Sequence, residues 1–250
     1  MKSTVGFKMK KINKIIEVFE KLESIIDDAY NSKLPDDILI RAYFTIIELL
    51  QDYTGTGRGV TGFSEFFYVR YIKKYLENKL GVRFEERNVE RRNSKTFSAE
   101  YNGKKLILSS DKAVKEAGIY IRPDVFIGIQ KEKGVIHPLA IFEIKLHQEE
   151  KDIEIIIRRF SDLRDKIKNK FTGMKDNDLP YFIWLYLRYE KYLNQNYEDK
   201  IKQFQAIENN FTVINYITEW YKSNIEPREG GINIILQKII QKINDFSLKK

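Results

Sequence analysis

The run from Pro138 to His147, Pro-Leu-Ala-Ile-Phe-Glu-Ile-Lys-Leu-His, sets a carboxylate and an ammonium inside an otherwise apolar segment. The run from Ile119 to Ile129 does the same with Asp124, directly after Pro123. Burying an ion costs several kcal/mol unless it meets an opposite charge, a metal or solvent. Side chains on a strand alternate faces, so Glu143, Lys145 and His147 share one face of the later run and Phe142, Ile144 and Leu146 the other. Either that polar face is solvated, or a neighbouring strand brings Asp124 to it.

The hydrophobic period organises the rest of the chain. Residues 8–30 repeat Ile12, Ile15, Ile16, Phe19, Leu22, Ile25 and Ile26 at helical spacing. Helices are expected over 35–52, opened by Pro35-Asp36-Asp37, and over 62–79, stopped by Gly81. The period then changes to two. Strands are expected over 97–110, 118–129 and 138–147, with Asn102-Gly103 marking a hairpin. A helix over 151–170 carries Ile153, Ile156, Ile157, Phe160, Leu163 and Ile167 on one face. Tyr181–Leu187 is apolar on both faces, as a central strand is. A helix over 197–208, a strand over 211–217 and a helix over 231–246 complete the order. With no repeat or linker, 250 residues read as one α/β domain. Its core would span about 61–190, with helical additions at the N-terminus (1–55) and the C-terminus (190–250).

Composition narrows the chemistry. The chain has no cysteine, which excludes disulfides, thiolate zinc sites and a cysteine nucleophile. Its two histidines, His137 and His147, exclude a histidine-rich metal site. A metal would be held by oxygen, which suits Mg²⁺ or Mn²⁺. The net charge of +8 fits either a lysine-rich composition or a polyanionic partner, most simply nucleic acid. No stretch approaches a membrane span and no secretion signal opens the chain, so a cytoplasmic location is expected. The glycine-rich stretch Gly55–Gly62 lacks the Gly-Lys-Ser/Thr ending of a nucleotide loop and follows a helix, so no nucleotide cofactor is expected.

Glu-x-Lys recurs at Glu149-Glu150-Lys151 and Glu198-Asp199-Lys200, and Pro-Asp at Pro35-Asp36. Those copies lie in charged or helical surroundings; the 143–145 copy lies in an apolar strand. If the two strands are adjacent, Asp124 and Glu143 could hold a divalent cation. Lys145 would then stand near the activated water and the phosphate.

The order helix, three strands, helix, strand, with Pro-Asp before one strand and Glu-x-Lys in the next, resembles the PD-(D/E)xK nuclease superfamily, the restriction-endonuclease-like fold. The resemblance covers about residues 61–190. It implies a mixed sheet flanked by helices and Mg²⁺-dependent hydrolysis of double-stranded DNA, with Mn²⁺ as a substitute. A type II restriction endonuclease, acting as a homodimer, is the first reading. A structure-specific repair, recombination or mobile-element nuclease and a catalytically silent DNA-binding module stay open. The resemblance marks Asp124, Glu143 and Lys145 as catalytic, with Asp124, Glu143 and the Ile144 carbonyl on the metal. Glu65, on the stripe of Tyr68, Val69 and Ile72 of the first core helix, is a further catalytic candidate. DNA contacts are expected from Arg58, Arg122, Arg158 and Arg159. A basic stretch with Arg83, Arg87, Arg91, Arg92 and Lys95 is a candidate clamp, and His147 a supporting or surface group.

Overall fold

The computed structural model describes residues 13, 16–17, 20–54, 62–86, 96–110, 117–120, 122–132, 134–145, 152–189, 195–207, 210–218, 226–227 and 231–248. They form two compact units, Met1–Tyr75 and Leu76–Lys250. The division falls inside a helix, where no change of composition marks it.

The first unit holds α1 (Leu22–Asn31), α2 (Pro35–Thr54) and most of α3 (Gly62–Leu80). Within the expected 8–30 helix, Asn13, Ile16, Glu17 and Glu20 are also helical. Helical spacing of apolar residues builds the packing: α1 buries Leu22, Ile26 and Ala29, and α2 buries Leu39, Ile40, Tyr43, Phe44 and Ile46. Asp36 and Asp37 stand in the first turn of α2, where the helix dipole favours anions. Asp36 is nevertheless buried, and it accepts a hydrogen bond from the Tyr68 hydroxyl at 3.0 Å.

The second unit is an eight-stranded mixed sheet flanked by helices. Its strands lie in chain order: β1 (Glu85–Glu86), β2 (Thr96–Tyr101), β3 (Lys104–Ser110), β4 (Val125–Glu132), β5 (Val135–Lys145), β6 (Tyr181–Tyr189), β7 (Phe211–Thr218) and β8 (Glu226–Pro227). Neighbours pair antiparallel except β5 with β6 and β6 with β7. Each parallel pair needs a crossover, supplied by α4 (Asp152–Lys170) and α5 (Gln195–Ile207). The core forms where Ile156, Phe160, Leu163 and Ile167 of α4 meet Phe126, Ile141, Phe182, Trp184 and Phe211 of the sheet. The last helix, α6 (Ile232–Leu248), ends on Lys104, whose Nζ donates to the carbonyls of Phe246 at 2.6 Å and Ser247 at 2.9 Å. A cation there complements the unpaired carbonyls of the last turn. His137 packs its ring against Phe171 and Phe246, with centroids 4.7 and 5.9 Å away.

Three boundaries differ from those expected. The 97–110 segment is two strands, because Asn102 and Gly103 both take positive φ (49° and 71°) and close a two-residue turn from Tyr101 to Lys104. The strand expected over 118–129 starts later: β4 begins at Val125, since Gly118 turns at φ 78° and Pro123 has no N–H to give a ladder. The C-terminal part is more than a helical addition, since β7 and β8 continue the same sheet beyond residue 190.

One irregularity positions the site. Gly128 pairs with Pro138, but Ile127 pairs with Ala140, so Leu139 is an extra residue in β5. Proline cannot donate to the ladder, and a bulge is where a sheet tolerates it. Beyond the bulge Val125 pairs with Phe142, which sets Asp124 beside Glu143. Without the extra residue Asp124 would come level with Phe142, and the two carboxylates would point to opposite faces. Opposite Pro138, a Cβ on Gly128 would lie 2.7 Å from Ile136 Cγ2 and 2.8 Å from the Phe126 ring. Gly128→Ala should therefore lower unfolding free energy by about 1–3 kcal/mol through overpacking. Urea denaturation checks this, and an unchanged midpoint would refute it.

Candidate active site

Asp124 stands at the entry to β4, and Glu143 and Lys145 lie on the last turn of the pleat of β5. The backbone of β5 fixes the aspartate: the Ile144 N–H donates to Asp124 Oδ2 at 2.5 Å. Lys145 Nζ donates to the same Oδ2 at 3.0 Å and lies 3.5 Å from Glu143 Oε2. Asp124, Glu143 and Lys145 therefore converge at one point, as the strand pattern implies. Of the two alternatives, a solvated polar face and a face met by Asp124, the structure has the second. Glu143 has 0% exposure, beneath α4 and in register with buried Trp184 of β6. Lys145 is the outward member of the three, at 35%.

A fourth charge completes the cluster. Arg159 Nη1 donates to Glu143 Oε2 at 3.1 Å, and Nη2 lies 2.8 Å from Oε1. One Nη2 proton goes to the Arg122 carbonyl, at 2.6 Å, and neither N–H of Nη2 makes a hydrogen bond to Oε1. That second contact with Glu143 is therefore electrostatic, and Oε1 has no hydrogen bond among the described residues. Arg159 was expected on the outer face of its helix as a DNA contact; its guanidinium is turned inward instead. The signal was in the spacing, because 159 follows Ile156 by three and precedes Leu163 by four, on the stripe that α4 buries.

The other candidates fall elsewhere. Ile144 is buried, and its observed role is the N–H that holds Asp124. Arg122 and Arg158 are exposed, the first contributing its carbonyl to Arg159. Glu65 is half-buried in the first turn of α3, in the first unit; the cluster is built wholly within the second. Arg58, the glycine-rich 55–61 stretch, His147 and the 87–95 part of the basic stretch lie outside the described residues, while Arg83 is exposed. A cavity of about 260 Å³ lies over Phe160, Phe182 and Phe211, with Arg164 and Lys168 at its rim. None of its lining residues belongs to the cluster.

No model of a known protein family and no curated protein sequence matches this chain. Burial is the main force raising the Glu143 pKa from its ordinary 4.5 to about 7, and the charge of Asp124 adds to it. Arg159 and Lys145 pull it down without cancelling the rise. Asp124 and Glu143, which share the Lys145 ammonium and of which Glu143 has a buried oxygen in an ion pair without a hydrogen bond, are the residues that could hold an added cation. Among the described residues no group of three or more acidic or imidazole side chains forms. Mg²⁺ is commonly held by one or two carboxylates plus substrate phosphate, a number that Asp124 and Glu143 supply.

The raised pKa has a sign for stability. Between pH 4.5 and 7 the folded chain keeps a proton on Glu143 that the unfolded chain has lost. Stability from this group is therefore full below pH 4.5 and falls as pH rises through 7, by on the order of 3 kcal/mol. Glu143→Gln should remove that slope, so that the wild type loses stability relative to the variant from pH 5 to 8. Parallel curves in metal-free denaturant titrations would contradict this.

Proposed function

We propose that this chain is a divalent-metal-dependent nuclease of PD-(D/E)xK type that hydrolyses phosphodiester bonds in double-stranded DNA. The observation that carries the reading is the convergence of Asp124, Glu143 and Lys145 on adjacent strands, with a buried carboxylate oxygen left without a hydrogen bond. The order of elements supports it: α3, antiparallel strands ending in β5, the crossover α4, then parallel β6. Among the described residues no helix is long and apolar enough to cross a membrane.

In this reading Asp124 and Glu143 hold Mg²⁺, or Mn²⁺ in its place. When bound, the cation lowers the pKa of a water and offsets charge gathering on the scissile phosphate. The Ile144 N–H keeps Asp124 aimed before substrate arrives, so that this carboxylate needs no reorganisation. Lys145, partly exposed and within 3.5 Å of both carboxylates, presents its ammonium where hydroxide and a non-bridging phosphate oxygen would sit. Trp184 and the α4 core exclude water from the inner side of Glu143. In this reading exposed Arg158 and Arg122 would meet backbone phosphates. A type II restriction endonuclease, cytoplasmic and homodimeric for double-strand cleavage, is the role we favour.

One observation favours a second reading. Arg159 already neutralises Glu143, as a structural ion network in a catalytically silent DNA-binding module would. Incubation with plasmid and Mg²⁺, followed by sequencing of the ends, separates the two. Defined ends are expected; absence of cleavage with retained, salt-sensitive binding would establish the silent module. Asp124→Asn and Lys145→Ala should each reduce cleavage roughly a hundredfold or more while leaving DNA affinity nearly unchanged. Wild-type cleavage by either variant, or cleavage in EDTA, would overturn the assignment.

A further inference from the structure

We infer that Arg159 is a resident counter-ion. It stands on Glu143 in the metal-free protein where a divalent cation would stand, and gives way when the cation enters. This rests on the reading of Asp124 and Glu143 as cation ligands, and adds a positioning residue that controls access to them.

The geometry sets up the competition. Both Glu143 oxygens face the guanidinium, at 2.8 and 3.1 Å. A cation shared by Glu143 and Asp124 would come within a few ångströms of that charge. Charge balance gives the same answer. With Glu143 ionised and no metal, two carboxylates (Asp124 and Glu143) meet two cations (Lys145 and Arg159). A divalent ion would leave four positive charges against two negative, in a place with little water to screen them. An incoming phosphate and a hydroxide restore neutrality, so DNA should tighten cation binding without being required for it.

Arg159 also has somewhere to go. Its side chain is 25% exposed although its position on α4 belongs to the buried stripe. Nη2 is tethered to the Arg122 carbonyl at 2.6 Å, in the segment that leads into Asp124. Its Nε has no acceptor among the described residues, so the inward pose does not satisfy the whole group. Release from Glu143 would leave the guanidinium at the outer side of the cluster, where a phosphate has to approach. Bidentate recognition of a phosphate uses the same fork that now faces Glu143.

The test is Mn²⁺ binding to the full chain without DNA, by isothermal titration. Arg159→Met keeps much of the side chain's bulk and removes its charge; Arg159→Lys keeps a charge. Arg159→Met should bind Mn²⁺ roughly tenfold tighter or more than the wild type, because a like charge beside the cation is gone. Arg159→Lys should stay at the wild-type affinity. Unchanged or weaker binding by a folded Arg159→Met, confirmed with Arg159→Gln, would overturn the inference and leave the nuclease reading standing. A purely structural arginine gives that result, because its loss loosens Glu143. If neither the wild type nor any folded variant binds Mn²⁺, the cation reading of the site falls, and this inference with it.

Discussion

Two carboxylates brought together inside a sheet repel each other and lose their hydration, and the second unit is arranged around that strain. Asp124 is fastened by a backbone N–H and an ammonium; Glu143, with no solvent contact, depends on Arg159 and Lys145. Removing one partner of such a set leaves a buried charge uncompensated, at a cost of about 3–5 kcal/mol. A well-packed apolar group at the same place would serve stability at least as well. The free-energy cost of keeping charges there makes sense when the site has work to do; the proposed hydrolysis of a phosphodiester with a divalent cation would be such work.

The fold brings this about through few devices. The Asn102-Gly103 turn sets the register of β2 on β3, and the Leu139 bulge corrects that of β4 on β5, so that Asp124 and Glu143 face the same side. The crossover α4 then covers that side. Its aromatic and aliphatic stripe makes the core, and Arg159 on that stripe meets the carboxylate. The core helix and the electrostatic partner of the site are thus one element, which ties the packing of Phe160 and Leu163 to the position of Arg159.

Much of this was legible in the sequence because periodicity is a statement about burial. The helices expected over 35–52, 62–79 and 151–170 and the strands expected over 138–147 and 181–187 follow from apolar spacing and overlap α2, α3, α4, β5 and β6. Asp124, Glu143 and Lys145 stood out because ions are costly in apolar strands. What escaped is what depends on long-range pairing. The bulge at Leu139 shows only when two strands are laid side by side. The buried state of Glu143 comes from Trp184 and α4, some forty and sixteen residues later in the chain. Arg159 was read by its charge, when its spacing from Ile156 and Leu163 placed it inward. The start of β4 was set too early because Gly118 and Pro123 interrupt an otherwise apolar run.

The central claim is that the Asp124–Glu143 pair is built to receive a divalent cation. Crystals grown with MnCl₂, and an anomalous difference map at the manganese edge, test it most directly. A peak about 2 Å from carboxylate oxygens of both Asp124 and Glu143, with the Arg159 guanidinium moved off Glu143, is expected. Manganese bound elsewhere, with the Glu143–Arg159 pair intact, would contradict it.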